Sequence, residues 1–250
     1  RVIRSDSFTA RPMTVDEVVY AQTLTRRPLK GMLTGPVTIL EWSFVRDDIP
    51  RDQTAYQIGL AIRDEAVDLE KAGLKAVQID EPALREGLPL KKAGQEAYVA
   101  WTVKAFKLSA GGVKDETQVH THMCYGEFQD VIAAIDAMDA DVISVEASRS
   151  RGEAIEVFGK ARYPREVGPG VYDIHAPRVP SKEEMLKTLR RCLKSLPAKR
   201  LWINPDCGLK TRGYDETIGA LRNMVDAARV LRAEVENPAP RRRKVSSRTK

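Results

Sequence analysis

The chain has 250 residues, 42% of them hydrophobic and 30% charged, and a net charge of +6. Six of its 41 basic residues (Arg241, Arg242, Arg243, Lys244, Arg248, Lys250) fall in 237–250, a stretch without acid, which leaves 35 basic against 35 acidic groups in the body. A neutral body argues against a nucleic-acid enzyme, no apolar run approaches the roughly 20 residues of a membrane span, and three cysteines are too few for a disulfide framework, which fits a reducing, cytoplasmic setting.

In chain order, residues 2–4 read as a short first strand. A helix is expected over 15–24 with Thr14 as its N-cap, then a strand over 29–35. A helix over 53–71 is ended by Gly73, and a strand over 75–80 precedes a helix over 96–108. A strand over 118–123 leads into a helix over 127–138, and a strand over 140–147 into a short helix over 153–158. An irregular strand over 166–174 is followed by a helix over 182–196, N-capped by Ser181. A last strand over 201–206 and a long helix over 216–234 complete the series.

This alternation implies parallel strands with helices outside. Seven strands are counted where a (β/α)8 barrel of the TIM type has eight. The fold class expected is therefore α/β, a barrel of about seven β-α units over 1–236, with 237–250 as a basic, disordered tail. A doubly wound open sheet could hold seven strands, but no Gly-rich phosphate turn follows any of them. Polar groups gather at successive strand ends: Asp80 with Glu81, His122 with Cys124, Glu146, Asp173 with His175, and Asp206 with Cys207. A barrel active site is built from such positions.

The stretch QVHTHMC sets His120, His122 and Cys124 at alternate positions, so all three side chains share one strand face. Thiolate, imidazole and carboxylate are zinc ligands, and zinc takes four in a tetrahedron. His122, Cys124, Glu146 and Cys207 form the candidate set, with His120 one pair deeper as a supporting donor. The competing reading is bland: a lone cysteine is usually a small buried hydrophobe, the reading preferred for Cys192, and His120 is equally an interior hydrogen-bonded histidine.

Longer motifs carry a resemblance. GMLTGPVTILEWSF (31–44), QIDEPALREGLPL (78–90), HTHMCYGEF (120–128), VGPGVYDIHAPRVPS (167–181) and LWINPDCGLKTRGY (201–214) resemble the cobalamin-independent methionine synthase family in its C-terminal catalytic barrel. The resemblance implies a zinc-dependent methyl transfer from 5-methyltetrahydropteroylpolyglutamate to homocysteine. It places Zn2+ on His122, Cys124, Glu146 and Cys207, and assigns proton donation to His175. It gives the homocysteine amino group to Asp80 and the pterin to Trp42 and Glu86. Asp80 and Glu81 are adjacent in a strand and face opposite ways, so one of them enters the mouth, and Asp80 is the expected one. Asp173 is a candidate to orient His175.

The family pairs two related barrels. The N-terminal barrel and the first homocysteine-binding strand of the catalytic barrel have no counterpart in these 250 residues, so a truncated barrel is expected, with the N-terminal barrel as a further partner. Neither nucleic acid nor membrane is expected as a partner. Two other functions compete: a zinc-thiol methyltransferase with a methylcorrinoid donor, and an inactive zinc-binding fragment.

Overall fold

The computed structural model describes residues 12–124 and 128–237. The strand expected over 2–4 and nearly all of the basic tail lie outside the described residues. Within them five parallel strands line up in sequence order: β1 (Gly31–Thr34), β2 (Ala76–Asp80), β3 (Gln118–Met123), β4 (Val142–Val145) and β5 (Glu166–Pro169). The segment 201–204 continues this order through two isolated parallel bridges, Val167 to Leu201 and Gly170 to Asn204. Parallel neighbours in chain order are the arrangement of a β/α barrel. Among the described residues the sheet does not close on itself.

The register explains the alternation of residue types. Leu33, Ile79, Thr121, Ile143 and Val167 lie in one row across the sheet, all nearly fully buried, and face the helices. The next row inward carries the polar side chains of Thr34, Asp80, His122 and Ser144, with Gly168 beside Ser144. Side chains in register point the same way, so the inner row converges on the mouth of the sheet.

Among the described residues eight α-helices pack outside: α1 (Val15–Thr23), α2 (Pro36–Glu41), α3 (Arg51–Lys71), α4 (Lys92–Ala110), α5 (Ile132–Met138), α6 (Ala154–Lys160), α7 (Lys182–Cys192) and α8 (Tyr214–Glu236). One core joins the outer faces of the strands to α2–α6. A second, built on Val171, Tyr172, Ile174, Leu186, Leu189 and Leu231, joins α7 and α8. No helix among the described residues is long and apolar enough to cross a membrane.

Several elements differ from the sequence reading. The run after β1 is a separate short helix, α2, because Pro36 starts it without needing a backbone donor. The helix expected over 127–138 is a 3-10 turn at Phe128–Asp130 followed by α5, whereas residues 125–127 are not described. The strand expected over 166–174 ends at Pro169. The strand expected over 201–206 is reduced to its two bridges. Thr14 does not cap α1 with its side chain. Glu65 accepts the N–H groups of Met13 (2.7 Å) and Thr14 (2.8 Å) and the Thr14 hydroxyl (2.7 Å). Ser181 does cap α7, in a reciprocal capping box with Glu184. Gly73, at φ 100°, ends α3.

Candidate metal centre

Three parts of the sheet deliver the four candidate ligands. His122 stands on β3 and Cys124 directly follows that strand. Glu146 follows β4, and Cys207 follows the bridged segment 201–204. One ligand atom from each of these residues lies within 4.8 Å of the other three. Cys124 Sγ is 3.7 Å from His122 Nε2. A zinc tetrahedron with bonds near 2.3 Å has edges of about 3.8 Å, so the group needs only a small contraction to fit the ion. His122 and Glu146 are buried, and the two cysteines are half-buried. Two sulfurs, a ring nitrogen and a carboxylate oxygen form a borderline-soft set that suits zinc better than calcium or magnesium.

The histidine is held from behind. His122 Nδ1 lies 2.9 Å from Ser144 Oγ, and Ser144 Oγ donates at 3.3 Å to the Thr121 carbonyl. With its own proton committed, the hydroxyl accepts the Nδ1–H. That tautomer leaves the Nε2 lone pair facing Cys124. Ser144 was not singled out from the sequence. Its signal is the register, because it pairs directly with His122 across β3 and β4.

The cluster is also coupled electrostatically. The Cys207 thiol is drawn far below its ordinary range by the hydrogen bond from Cys124 and then by His122. The same contact pushes Cys124 up, with burial adding to the rise. Burial disfavours the His122 cation, but contact with Cys207, and then the charges of Asp80 and Glu146, more than offset it. Negative charge is thus favoured on the Cys207 sulfur and disfavoured on Cys124, and a bound cation would favour the ionised form of both.

Cys207 is placed by Asp206. This carboxylate is fully buried and accepts the N–H groups of Ala147 (3.1 Å) and Ser148 (3.2 Å) and the Ser148 hydroxyl. Burial raises its pKa. Asp206 therefore ties the loop after Glu146 to the loop bearing Cys207 and has a structural job, although it sits in a reactive-looking pair.

Asp80 ends β2 on the inner face, and burial raises its pKa against the pull of His122. Glu81 turns the other way. Its oxygens accept the N–H groups of Val37 (3.0 Å) and Thr38 (2.8 Å) and the Thr38 hydroxyl (2.7 Å), closing the N-terminus of α2. Trp42 is 61% exposed at the C-terminal end of α2, and Glu86 is exposed in the turn after β2. His175 is exposed in the loop after β5. Asp173 accepts the backbone N–H of His175 at 2.9 Å and the Arg149 guanidinium at 3.0 Å, so it anchors the loop main chain.

His120 does not support the candidate ligands. Its Nδ1 lies 3.3 Å from the Lys30 ammonium and its Nε2 2.9 Å from Gln118 Oε1, with the Trp202 ring edge-on at 5.2 Å. Burial, and then Lys30, pull its pKa down to about 3, so the ring is neutral and accepts from Lys30. Cys192, the last residue of α7, is fully buried in the first core, as a small apolar residue would be.

The description "Cobalamin-independent synthase, Catalytic domain" belongs to a family model that matches residues 1–230. A 5-methyltetrahydropteroyltriglutamate–homocysteine methyltransferase of Shewanella oneidensis is 61% identical over 231 residues, 92% of this chain and 30% of its own length. The enzyme of that name in Paraburkholderia xenovorans is 60% identical over 234 residues, 94% of this chain and 31% of its own. The chain thus spans under a third of these relatives. A solved B12-independent methionine synthase from Shewanella sp. W3-18-1, in complex with selenomethionine, superimposes with a TM-score of 0.81 at 22% identity, over 94% of this chain and 71% of that one. A putative vitamin-B12-independent methionine synthase from Listeria monocytogenes gives 0.73 at 15% identity, over 92% and 73%. These two likenesses concern the fold, and the sequence match carries the assignment: the chain belongs to the cobalamin-independent synthase family and lies within its catalytic domain.

Proposed function

We propose that the chain performs zinc-dependent transfer of a methyl group from 5-methyltetrahydropteroylpolyglutamate to homocysteine, forming methionine. The observation that carries this reading is the four-ligand cluster, two sulfurs with one nitrogen and one oxygen, in a chain of this family. His122, Cys124, Glu146 and Cys207 would hold the zinc. When bound, zinc ionises a coordinating thiol that is otherwise protonated at neutral pH. Of the four, Glu146 is the hardest ligand and the one best suited to yield its place to a substrate sulfur.

The remaining residues bind, orient and protonate. Asp80 receives the homocysteine ammonium from the inner face of β2. Trp42 offers an exposed indole face for the pterin, and Glu86 a carboxylate for its ring nitrogens. In the transfer the substrate sulfur forms a bond to the methyl carbon while the carbon–nitrogen bond to the pterin breaks. The pterin nitrogen keeps the electron pair and takes a proton from His175, since an amide-like anion is a poor leaving group. His175 suits this task because its loop main chain is pinned by Asp173 and Arg149 and its ring is open to solvent for reprotonation.

The test is direct. The purified chain is loaded with zinc, its zinc content is measured, and methionine is assayed with homocysteine and 5-methyltetrahydropteroyltriglutamate. One zinc per chain with methionine formed supports the reading. Turnover with a methylcorrinoid donor but not the pteroyl donor reassigns the methyl source. One zinc per chain without turnover from either donor leaves a metal-binding module.

A further inference from the structure

We propose that Gln78 is a positioning residue for the amino-acid substrate. Its side-chain amide clamps one oxygen of Asp80 and turns the other toward the mouth of the barrel, where an α-ammonium group binds. The inference rests on the reading of Asp80 given above and deepens it.

Gln78 sits two residues before Asp80 on β2, so both side chains project from the inner face. It is 5% exposed, and its Nε2 donates to Asp80 Oδ1 at 2.7 Å. Among the described residues this is the one side-chain hydrogen bond that Asp80 receives. A carboxylate only accepts, so the contact also fixes which end of the amide points up the barrel. β2 is flanked on both sides, with Gln78 in register with Met32 on β1 and His120 on β3, so the clamp stands on a rigid element. His120 is already engaged by Lys30 and Gln118, and Glu81 is committed to α2. Lys30 acts on Asp80 electrostatically. Without the amide, the carboxylate can turn toward that cation and away from an incoming ammonium. Fixing it beforehand removes an ordering cost from substrate binding.

The experiment compares binding of L-homocysteine with binding of 4-sulfanylbutanoate, which keeps the thiol and the carboxylate but lacks the amino group. Calorimetry is run on the zinc-loaded full chain, wild type and Gln78→Met, a substitution that keeps length but removes the donor. Wild type is expected to prefer homocysteine. In Gln78→Met the homocysteine affinity should fall about 10-fold, in line with loss of a hydrogen bond to a charged group, while 4-sulfanylbutanoate binding and zinc content stay as in wild type. If Gln78→Met does not retain zinc, Gln78→Asn, which withdraws the amide by one methylene, takes its place with the same expectation. Equal weakening of both ligands, or full retention of the preference, overturns the clamp. A wild-type chain that binds both ligands equally, or neither, overturns the reading of Asp80 instead, so the two failures are told apart.

Discussion

At the scale of single residues, the site depends on side chains that touch no substrate. Ser144 accepts from His122 Nδ1 and hands its own proton to Thr121, which leaves Nε2 as the only ring nitrogen able to bind a cation. Supporting groups of this kind are typically worth 10–100-fold in metal affinity. Ser144→Ala should therefore weaken zinc binding by roughly that factor, measured by competition with a chromophoric chelator, with the fold intact by circular dichroism. Glu81 makes a different point. It is fully buried, and burial pushes its pKa to about 7 from an ordinary 4.5, even though three donors oppose the shift. Between those values the folded chain keeps a proton that the unfolded chain has released. Stability from this group is therefore highest below pH 4.5, falls as pH rises toward 7, and levels off above it. Relative to Glu81→Gln, which cannot titrate, wild type should lose roughly 3 kcal/mol between pH 4.5 and pH 7.5, read from urea unfolding at the two pH values. A gap that does not change with pH would show that the three donors keep Glu81 ionised throughout.

At the scale of elements, local patterns foretold most of the helices, and long-range partners decided where the reading failed. Ser181 with Glu184 is a local code, and α7 starts where it says. The start of α2 is coded 45 residues away: Glu81 supplies its cap, and Gly35 leaves room for it, since a Cβ there would come within 2.8 Å of Glu81 Cγ. Thr14 looked like a cap by its type, but Glu65, 51 residues on, takes its N–H and its hydroxyl. The four candidate ligands were legible because they are chemically distinctive and fall at strand ends, and the fold does bring them together. The role of His120 was not, because its partner Lys30 comes from before β1. The segment 201–204 also depends on close approach. A Cβ at Gly170 would lie 2.5 Å from the Cα of Asp206, the residue that holds the Cys207 loop against Ser148. Gly170→Ala must push that loop outward, costing about 1–3 kcal/mol and loosening zinc. Thermal unfolding with and without the ion should show both effects, and an unchanged zinc affinity would mean that the loop adapts without moving Cys207.

At the scale of the whole molecule, the cluster joins parts of the chain that the sheet holds only weakly. β3 and β4 are paired over four residues, but the segment that carries Cys207 reaches β5 through two isolated bridges. It belongs with the second core, around α7 and α8, whereas His122, Cys124 and Glu146 rise from strands packed in the first. An ion bound at all four ligands would cross-link the two cores at the mouth of the sheet, and it cannot do so in the unfolded chain. Ligand binding to the folded state alone stabilises it by about 4 kcal/mol when the free ion stands at 1,000 times its dissociation constant. For a chain of this size that is roughly 10 °C in Tm. Zinc should therefore raise the Tm of wild type by about that amount, and a chelator should reverse it. In Cys207→Ser the hydroxyl is a poor zinc ligand, so the link between the cores is lost while the other three ligands stay near one another. The rise should then shrink to a few degrees at the same zinc concentration. If Cys207→Ser responds to zinc as wild type does, the ion is held by β3 and β4 alone, and the second core has no part in the site.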